Sequence, residues 1–337
     1  MSSVLGDIAE LVPQLGRAAV TAVQGASNEV ARLVRPDKLR PIWSDLRYGP
    51  IIPVPYRPGQ DLATDGFLAL CAYQGYTSYT SHGIQPVTLG LVGLQALLHF
   101  NPSGYRLLEV GLNARRVVQF GEAYRLVSSP VLHANLPHLA TNLAGFIAEG
   151  SELERRIGSS AMLGTIAAIG ALSQSIYIAG CWGATKLSSA ASVVVPYYHG
   201  YAIGSSAVVF GLQALVGYLR EAERGPYVDE EFPYTHGRYR CWLSLGVTHW
   251  LVPGASLAGH VSGIAAGLLT IYVPQAWTQL WRRATGRRPP MQLQAGVLQR
   301  HRTRWWKDLL GHLVVGGGTV AIILLRRRQQ SGGAAAW

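Results

Sequence analysis

Charged residues are scarce in this sequence, and their scarcity excludes an ordinary soluble protein. Only 14% of the 337 residues are charged, whereas 49% are hydrophobic; soluble domains carry roughly 25% charged residues. Cysteine is also scarce, and Cys71, Cys181 and Cys241 are far apart in the chain. This spacing excludes both a disulfide framework and a zinc site built from paired cysteines. The composition predicts an all-α polytopic membrane protein.

Apolar segments of about the length that crosses a hydrocarbon core recur through the middle of the chain. We predict six transmembrane helices, at residues 86–100, 138–152, 160–180, 204–220, 241–253 and 259–275. The second and fifth of these are short, so their assignment depends on the pattern as a whole. Together the six helices form a single predicted membrane domain, residues 86–275.

The N-terminal tail, residues 1–85, is predicted to be cytosolic or to lie on the membrane surface. Apolar residues at helical spacing over 4–35 predict an amphipathic helix. The later segment GFLALCAYQG, which begins at residue 66, is too short to span a membrane. We therefore predict no crossing before residue 86.

The basic C-terminal tail, residues 276–337, contains one more apolar segment at 309–325. Its length is borderline for a seventh span, and three consecutive glycines weaken it as a helix. A seventh span would also move the three arginines at 326–328 away from the cytosolic side. We therefore predict an additional helix that is peripheral or lies on the membrane surface.

The distribution of basic residues predicts the orientation of the spans. The net charge is +11, but Lys and Arg fall mainly in tails and loops, which favours topology over nucleic-acid binding as their explanation. Connections after the second, fourth and sixth spans contain several arginines each and are predicted to be cytosolic. The connection 181–203 contains only Lys186 and is predicted to be lumenal. The arginine-rich first loop departs from this bias.

Polar residues occupy the first turns of the three spans that enter from the lumenal side. These turns read HLATN, GSSAV and GHVSG, and they would bring His138, Asn142, Ser206 and His260 to one depth. An ionisable group inside a bilayer is costly and usually faces a partner or a water-filled cavity. The convergence of four such groups predicts a functional site.

Each polar residue also has a structural interpretation. Ser206, among glycines, is typical of small residues that let membrane helices pack closely. His260 alone would suit an interhelical hydrogen bond, and His138 with Asn142, spaced i and i+4 on one helix face, would suit helix–helix adhesion. These alternatives stay open on the residues taken singly.

Glycines every four residues in the sixth span predict a flat face. They are Gly259, Gly263 and Gly267. Close packing of this face on the fourth span would carry the Ser206 hydroxyl toward His260. The packing and functional interpretations are therefore compatible.

The motifs GSSAVVFG and GHVSGIAAG resemble those of the rhomboid intramembrane serine proteases. In that family the fourth span starts with Gly-x-Ser, and the sixth carries a histidine followed by spaced glycines. The segment YRLVSSPVLHANLPHLATN is similar to the family's first-loop arginine, here Arg125, and its His-x4-His-x3-Asn entry to the second span. The resemblance covers residues 86–275 and is greatest to the endoplasmic-reticulum rhomboids. Ala207 and Tyr124 depart from the common glycine and tryptophan, which bears on efficiency and substrate preference.

The chemistry of the residues and the resemblance together predict a catalytic dyad. A serine hydroxyl needs a base within hydrogen-bond reach, and His260 is the candidate base for Ser206. The neighbouring spans contain no acidic residue to complete a triad. The resemblance implies that Phe210 supports the imidazole ring and that His138 and Asn142 form the oxyanion hole.

The resemblance implies a protease that hydrolyses peptide bonds in or near transmembrane helices. The alternative is a non-catalytic rhomboid-like protein that binds or dislocates membrane proteins in quality control. A transporter is disfavoured because the sequence has no internal repeat. We expect no cofactor or metal, transmembrane substrates in a lipid bilayer, no nucleic acid, an endomembrane location such as the endoplasmic reticulum, and quality-control factors as cytosolic partners of the C-terminal tail.

Overall fold

The computed structural model describes residues 50–51, 62–83, 85–99, 105–186, 195–224, 237–252, 254–285 and 305–332. The amphipathic helix predicted over 4–35 lies outside these residues. Within them the fold is an all-α bundle, as the sequence predicts. The one extended element is a two-residue antiparallel pair, in which β1 (Pro50–Ile51) lies beside β2 (Tyr105–Arg106).

The bundle is built from long helices joined by short helical turns. The helices are α1 (Leu62–His82), α2 (Pro86–His99), α3 (Leu107–Val110), α4 (Ala114–Phe120), α5 (Arg125–Ser128), α6 (Leu136–Ile157), α7 (Ser159–Ala184), α8 (Val195–His199), α9 (Ser206–Arg224), α10 (Arg240–Leu251), α11 (Leu257–Thr285) and α12 (Trp305–Gly332). The six predicted spans correspond to α2, α6, α7, α9, α10 and α11.

Three helices among the described residues are long and apolar enough to cross a membrane. They are Ser159–Ala184, Leu257–Pro274 and Trp306–Gln329. The second and fourth predicted spans, α6 and α9, carry charged residues in their last turns and so fall outside this group. The fifth, α10, has only 12 residues, about 18 Å of helix against a hydrocarbon core of about 30 Å.

The centre of the bundle is the contact between α9 and α11. A side chain at Gly263 would overlap the carbonyl group of Ala207, and one at Gly267 would overlap the backbone of Gly211. The predicted glycine face is therefore real at these two positions. The prediction is wrong for Gly259, because a side chain there would meet Ser256 of the same N-terminal turn and not the neighbouring helix α9. A helix start needs its free N–H groups capped, and here the Ser256 hydroxyl accepts from the N–H of Gly259 at 3.2 Å.

Buried glutamates near the end of α6 tie helices α2, α9 and α10 to the bundle. Glu154 accepts hydrogen bonds from the amides of Val87 and Thr88, at 2.9 and 2.8 Å, and so caps the start of α2. Glu152 pairs with Arg220 of α9, and Glu149 with Arg240 of α10. The charges of Glu152 and Glu149 are thus neutralised by arginines, and that of Glu154 is stabilised by hydrogen bonds, because a buried charge without partners is costly. These pairs lie at the end of the bundle predicted to face the cytosol.

The helix α1 is longer than the sequence predicts. The apolar segment from residue 66 is part of a helix of 21 residues, although it falls short of the hydropathy that marks a membrane span. The helix packs along α6, where Gly75 faces Ile147. Tertiary packing, rather than hydropathy, extends the helix, so residues 62–82 belong to the bundle and not to a separate tail.

The helix α12 corrects the prediction of a peripheral or surface helix at 309–325. It has 28 residues and packs along α10. Near its start Asp308 pairs with Arg238, and near its end Arg327 donates to the carbonyl of Ala255 at 2.9 Å. The helix therefore runs the whole length of α10. The positive-inside argument failed because these terminal arginines have partners within the protein.

Candidate active site

The hydroxyl of Ser206 and the imidazole of His260 meet at the α9–α11 contact. Ser206 Oγ lies 3.0 Å from His260 Nε2. Ser206 is the first residue of α9 and His260 is in the first turn of α11, so the main-chain contact at Gly263 fixes their separation. This distance allows a proton to pass between the two side chains.

The aromatic ring of Phe210 packs against the imidazole of His260. The Phe210 ring centroid lies 4.5 Å from that of His260, with 33° between the planes. Phe210 is one turn after Ser206 on α9, so the same helix presents the hydroxyl and the supporting ring. Both Phe210 and His260 are buried. The arrangement restricts the rotation of the His260 ring.

The turn that precedes Ser206 brings in the other two predicted site residues. Gly204 has a φ of 108°, a conformation that glycine adopts at little cost and other residues rarely adopt. A side chain here would lie 2.7 Å from His138 Nε2 and 3.5 Å from Asn142 Nδ2. His138 and Asn142 therefore border the chain immediately before the serine.

Asn142 uses only part of its hydrogen-bonding capacity within its own helix. Its amide nitrogen donates one hydrogen bond to the carbonyl of His138 at 2.9 Å, and a primary amide carries a second N–H. Nδ1 of His138 is buried without a hydrogen-bond partner. The two side chains thus retain hydrogen-bonding capacity beside the serine turn.

Comparison with known proteins agrees with this geometry. Residues 120–275 match the family model of the rhomboid domain. The sequence is also 31% identical, over 189 residues, to human rhomboid-related protein 4. The stretch of the chain at 120–275 is a rhomboid domain. The rhomboid domain contains all four predicted site residues.

Rhomboid relatives from other organisms match over a similar extent. Rat rhomboid-related protein 4 is 29% identical over 189 residues, and the Arabidopsis thaliana "Rhomboid-like protein 14, mitochondrial" is 27% identical over 212 residues. The human match covers 56% of this chain and 57% of the relative; the Arabidopsis match covers 60% and 59%. The chain thus spans somewhat over half the length of the curated relatives it matches.

The first loop of the rhomboid domain is organised around Arg125. This buried guanidinium donates to Glu122 at 2.6 Å and to the carbonyls of Gly111 and Leu108 at 2.7 and 2.9 Å. The neighbouring Tyr124 donates from its hydroxyl to the carbonyl of Glu109 at 3.0 Å. The Arg125 side chain therefore holds the loop together by hydrogen bonds to the loop's backbone carbonyls. This internal role explains why one arginine of the loop departs from the positive-inside bias.

Ser205, the residue before Ser206, holds the serine turn in place. Its side chain is buried, and its hydroxyl donates to Gln95 Oε1 of α2 at 2.7 Å. Its backbone N–H points to His133 Nε2 at 3.4 Å, and burial holds the pKa of His133 well below its ordinary value. Ser205 therefore anchors the serine turn to α2 and to the loop, which fixes where Ser206 points.

Two polar residues near the dyad were missed by the sequence analysis. His249 of α10 places Nε2 3.1 Å from His260 Nδ1, and Arg327 of α12 contacts the opposite nitrogen of His249. Neither lies in a recognised motif, and α12 was predicted to be peripheral. The sequence did offer one signal for His249, which is that it is a histidine within a short apolar span. No cluster of metal-ligating side chains occurs in the part of the chain that the structure describes.

Proposed function

We propose that this protein is an intramembrane serine protease that hydrolyses peptide bonds in or near transmembrane helices. The observation that carries the proposal is the 3.0 Å contact between Ser206 Oγ and His260 Nε2 within a bundle of apolar helices. The match to the rhomboid domain supports it, because that match includes both residues.

The proposed reaction follows the chemistry of a serine nucleophile and a histidine base. His260, with its proton on Nδ1, accepts the Ser206 hydroxyl proton at Nε2 as Oγ attacks the substrate carbonyl. The tetrahedral intermediate collapses to an acyl-enzyme as His260 returns the proton to the leaving amine. A water molecule, deprotonated by the same nitrogen, then attacks the ester, and His260 returns that proton to Ser206 Oγ as the carboxyl product leaves. Phe210 holds the ring in line throughout these transfers.

The developing oxyanion needs donors that are already in place. The second N–H of Asn142, the ring of His138 and the backbone N–H of Ser206 are the proposed donors. The position of Asn142 and His138 beside the turn at Gly204, two residues before Ser206, supports this role. Preorganised donors of this kind stabilise the transition state without reorganisation during the reaction.

The substrate class follows from the surroundings of the dyad. Ser206 and His260 lie in the first turns of α9 and α11, close to one end of the bundle, and Ser206 is only partly buried. A transmembrane helix hides its carbonyls in internal hydrogen bonds, so its backbone must unwind locally before attack. Substrates with helix-weakening residues near that end of the membrane should be cleaved preferentially.

The membrane compartment and the partners are further parts of the proposal. We propose an endomembrane location, the endoplasmic reticulum in particular, although one relative has a name that specifies mitochondria. Cytosolic quality-control factors would have to bind the C-terminal tail before α12, at residues 286–304, because α12 packs on the bundle and ends beside the dyad. That segment lies outside the described residues.

The test is cleavage of a model single-span substrate by the purified full-length protein in liposomes. Wild type should release the product fragment, whereas Ser206→Ala and His260→Ala should release none. Ser262→Ala is a matched control, because the Ser262 hydroxyl bonds only the Ala258 carbonyl of its own helix. Labelling by a fluorophosphonate probe gives a second readout that needs no substrate.

The outcomes separate the protease from the non-catalytic alternative. Cleavage and labelling that require both Ser206 and His260 would support the protease. Absence of Ser206-dependent labelling, in protein that unfolds cooperatively and binds the substrate helix, would exclude the dyad mechanism. That result would favour a rhomboid that binds or dislocates membrane proteins.

A further inference from the structure

A continuous row of hydrogen bonds extends from the candidate nucleophile to the last helix. Ser206 Oγ lies 3.0 Å from His260 Nε2, His260 Nδ1 lies 3.1 Å from His249 Nε2, and His249 Nδ1 lies 3.0 Å from Arg327 Nη2. Both histidines are buried, with 6% and 3% of their surface exposed. Four helices, α9, α10, α11 and α12, each contribute one side chain to the row.

The arginine fixes the direction of every hydrogen bond in this row. A guanidinium has only donors, so Nδ1 of His249 must accept and cannot carry a proton. The neutral ring of His249 then carries its proton on Nε2 and donates it to Nδ1 of His260. His260 must accept at Nδ1, which leaves its own proton on Nε2. The last bond is therefore donated by His260 to the Ser206 oxygen.

This arrangement is opposite to the one that the reaction needs. A general base requires a free lone pair on Nε2 of His260, so that the Ser206 hydroxyl can donate to it. We propose that Arg327, acting through His249, holds the dyad in a resting tautomer. The inference rests on the proposed serine-protease function and assigns two positioning residues that control its base.

The position of Arg327 is itself held by three groups. Besides His249, it donates to the Tyr197 hydroxyl at 2.7 Å and to the Ala255 carbonyl at 2.9 Å. Its neighbour Arg326 faces away and stacks on Trp250, with 3.5 Å between the guanidinium carbon and the ring centroid. Adjacent arginines thus have different surroundings, and only Arg327 reaches the histidines.

Activation requires a proton shift that leaves both rings neutral. When Arg327 withdraws, His249 passes its Nε2 proton to Nδ1 of His260. His260 releases its Nε2 proton to water, and water returns one proton to Nδ1 of His249. Ser206 Oγ then donates to His260 Nε2, and His260 Nδ1 donates to His249 Nε2. Displacement of Arg327 from His249 by an entering substrate helix would couple substrate binding to activation.

The direct test is nitrogen NMR of the ¹⁵N-histidine-labelled full-length protein in lipid nanodiscs. Protonated and unprotonated ring nitrogens have well-separated shifts, and spectra of His260→Gln and His249→Gln assign the two rings. In wild type we expect an unprotonated Nδ1 and a protonated Nε2 on both His260 and His249. A protonated Nδ1 on His260 would overturn the inference without any recourse to a variant.

Variants of the two arginines make the test specific. Arg327→Met keeps the aliphatic stem without the donors, so the form of His260 protonated on Nδ1 should become populated. Arg327→Lys keeps a donor-only group and should retain the wild-type pattern of nitrogens, as should the matched control Arg326→Met. Identical patterns in Arg327→Met and Arg326→Met would overturn the inference.

Fluorophosphonate labelling of Ser206 measures the consequence for reactivity. Arg327→Met should be labelled roughly tenfold faster than Arg326→Met, the factor associated with one ordinary hydrogen bond. Slower labelling of Arg327→Met, in protein that unfolds at the temperature of the control, would overturn the restraining role. If no variant is labelled at Ser206 but the NMR pattern is as expected, the protease proposal fails while the tautomer assignment stands.

Discussion

Gly263 of α11 lies against the carbonyl group of Ala207 of α9, so these two helices meet through their backbones. The contact is adjacent in sequence to both members of the dyad, since Ala207 follows Ser206 and Gly263 is three residues after His260. The distance between hydroxyl and imidazole is therefore set by main chain, which is less adjustable than side-chain packing.

Substitution of Gly263 by alanine should separate the helices and abolish turnover. The added methyl group has no space, and overpacking of this kind costs about 1–3 kcal/mol in the free energy of unfolding. Thermal unfolding in detergent, together with fluorophosphonate labelling, measures both effects. Gly164→Ala in α7 is the control, because nothing lies within 4 Å of its added methyl group. Equal behaviour of the two variants would contradict the contact.

Gly204→Ala should reduce labelling of Ser206 by at least roughly tenfold. The methyl group would meet the His138 ring, and a φ of 108° is strained for alanine, at a cost of about 1–3 kcal/mol. Gly121→Ala controls for backbone strain alone, since its φ is 69° and nothing lies within 4 Å. Comparable loss of labelling in Gly121→Ala would show that the His138 contact is irrelevant.

Asn142→Ala should lower kcat on the model substrate by roughly a hundredfold or more, with a smaller change in KM, because an oxyanion donor acts mainly in the transition state. Thr141→Ala is a close control. Thr141 also donates to the carbonyl four residues earlier, at 2.8 Å, but its side chain is exposed whereas Asn142 is buried. A normal kcat for Asn142→Ala would remove this residue from the oxyanion hole.

The first loop should lose stability as the pH falls. The hydrogen bond from Arg125 lowers the pKa of Glu122 below its ordinary value of 4.5. A carboxyl whose pKa is depressed by folding stabilises the protein above its unfolded pKa, and that contribution disappears as the pH falls through the folded pKa. Unfolding temperature measured from pH 6 to pH 3 should therefore drop less in Glu122→Gln than in wild type. Parallel curves would contradict the assignment.

Docking of α12 can be tested with two adjacent glycines. A methyl group at Gly316 would lie 2.5 Å from the Trp242 ring of α10, whereas one at Gly317 meets nothing within 4 Å. Gly316→Ala should therefore destabilise the protein by about 1–3 kcal/mol, and Gly317→Ala should not. Thermal unfolding distinguishes them. Equal unfolding temperatures would mean that α12 does not pack on α10 at this point.

The parts of the fold that follow from short-range pattern were predictable. Successive spans run in opposite directions, so the second, fourth and sixth spans, α6, α9 and α11, all begin at the same side of the membrane. The juxtaposition of Ser206 with His260 could therefore be predicted from topology. Gly263 and Gly267 could be predicted from their spacing. The helix around residue 66 could not, because its length is set by packing on α6 rather than by its own hydropathy.

Features that depend on contacts distant in sequence were out of reach. Charge bias alone argued against a helix ending at Arg326 and Arg327, since a sequence does not show that Trp250 and Ala255 supply partners. The role of Ser205 depends on Gln95, from a helix more than a hundred residues earlier. The role of His249 could be recognised only from the structure, in which α10 places its Nε2 3.1 Å from His260 Nδ1.

The order of synthesis adds a consequence to the position of Arg327. A ribosome completes Ser206, His249 and His260 well before it reaches α12, so a nascent bundle holds both reactive groups without the guanidinium that sets their tautomer. A chain would acquire this restraint only when α12 docks. A stalled chain that ends before α12 would retain the nucleophile and its base in the unrestrained state, and its removal by quality control would protect neighbouring membrane proteins.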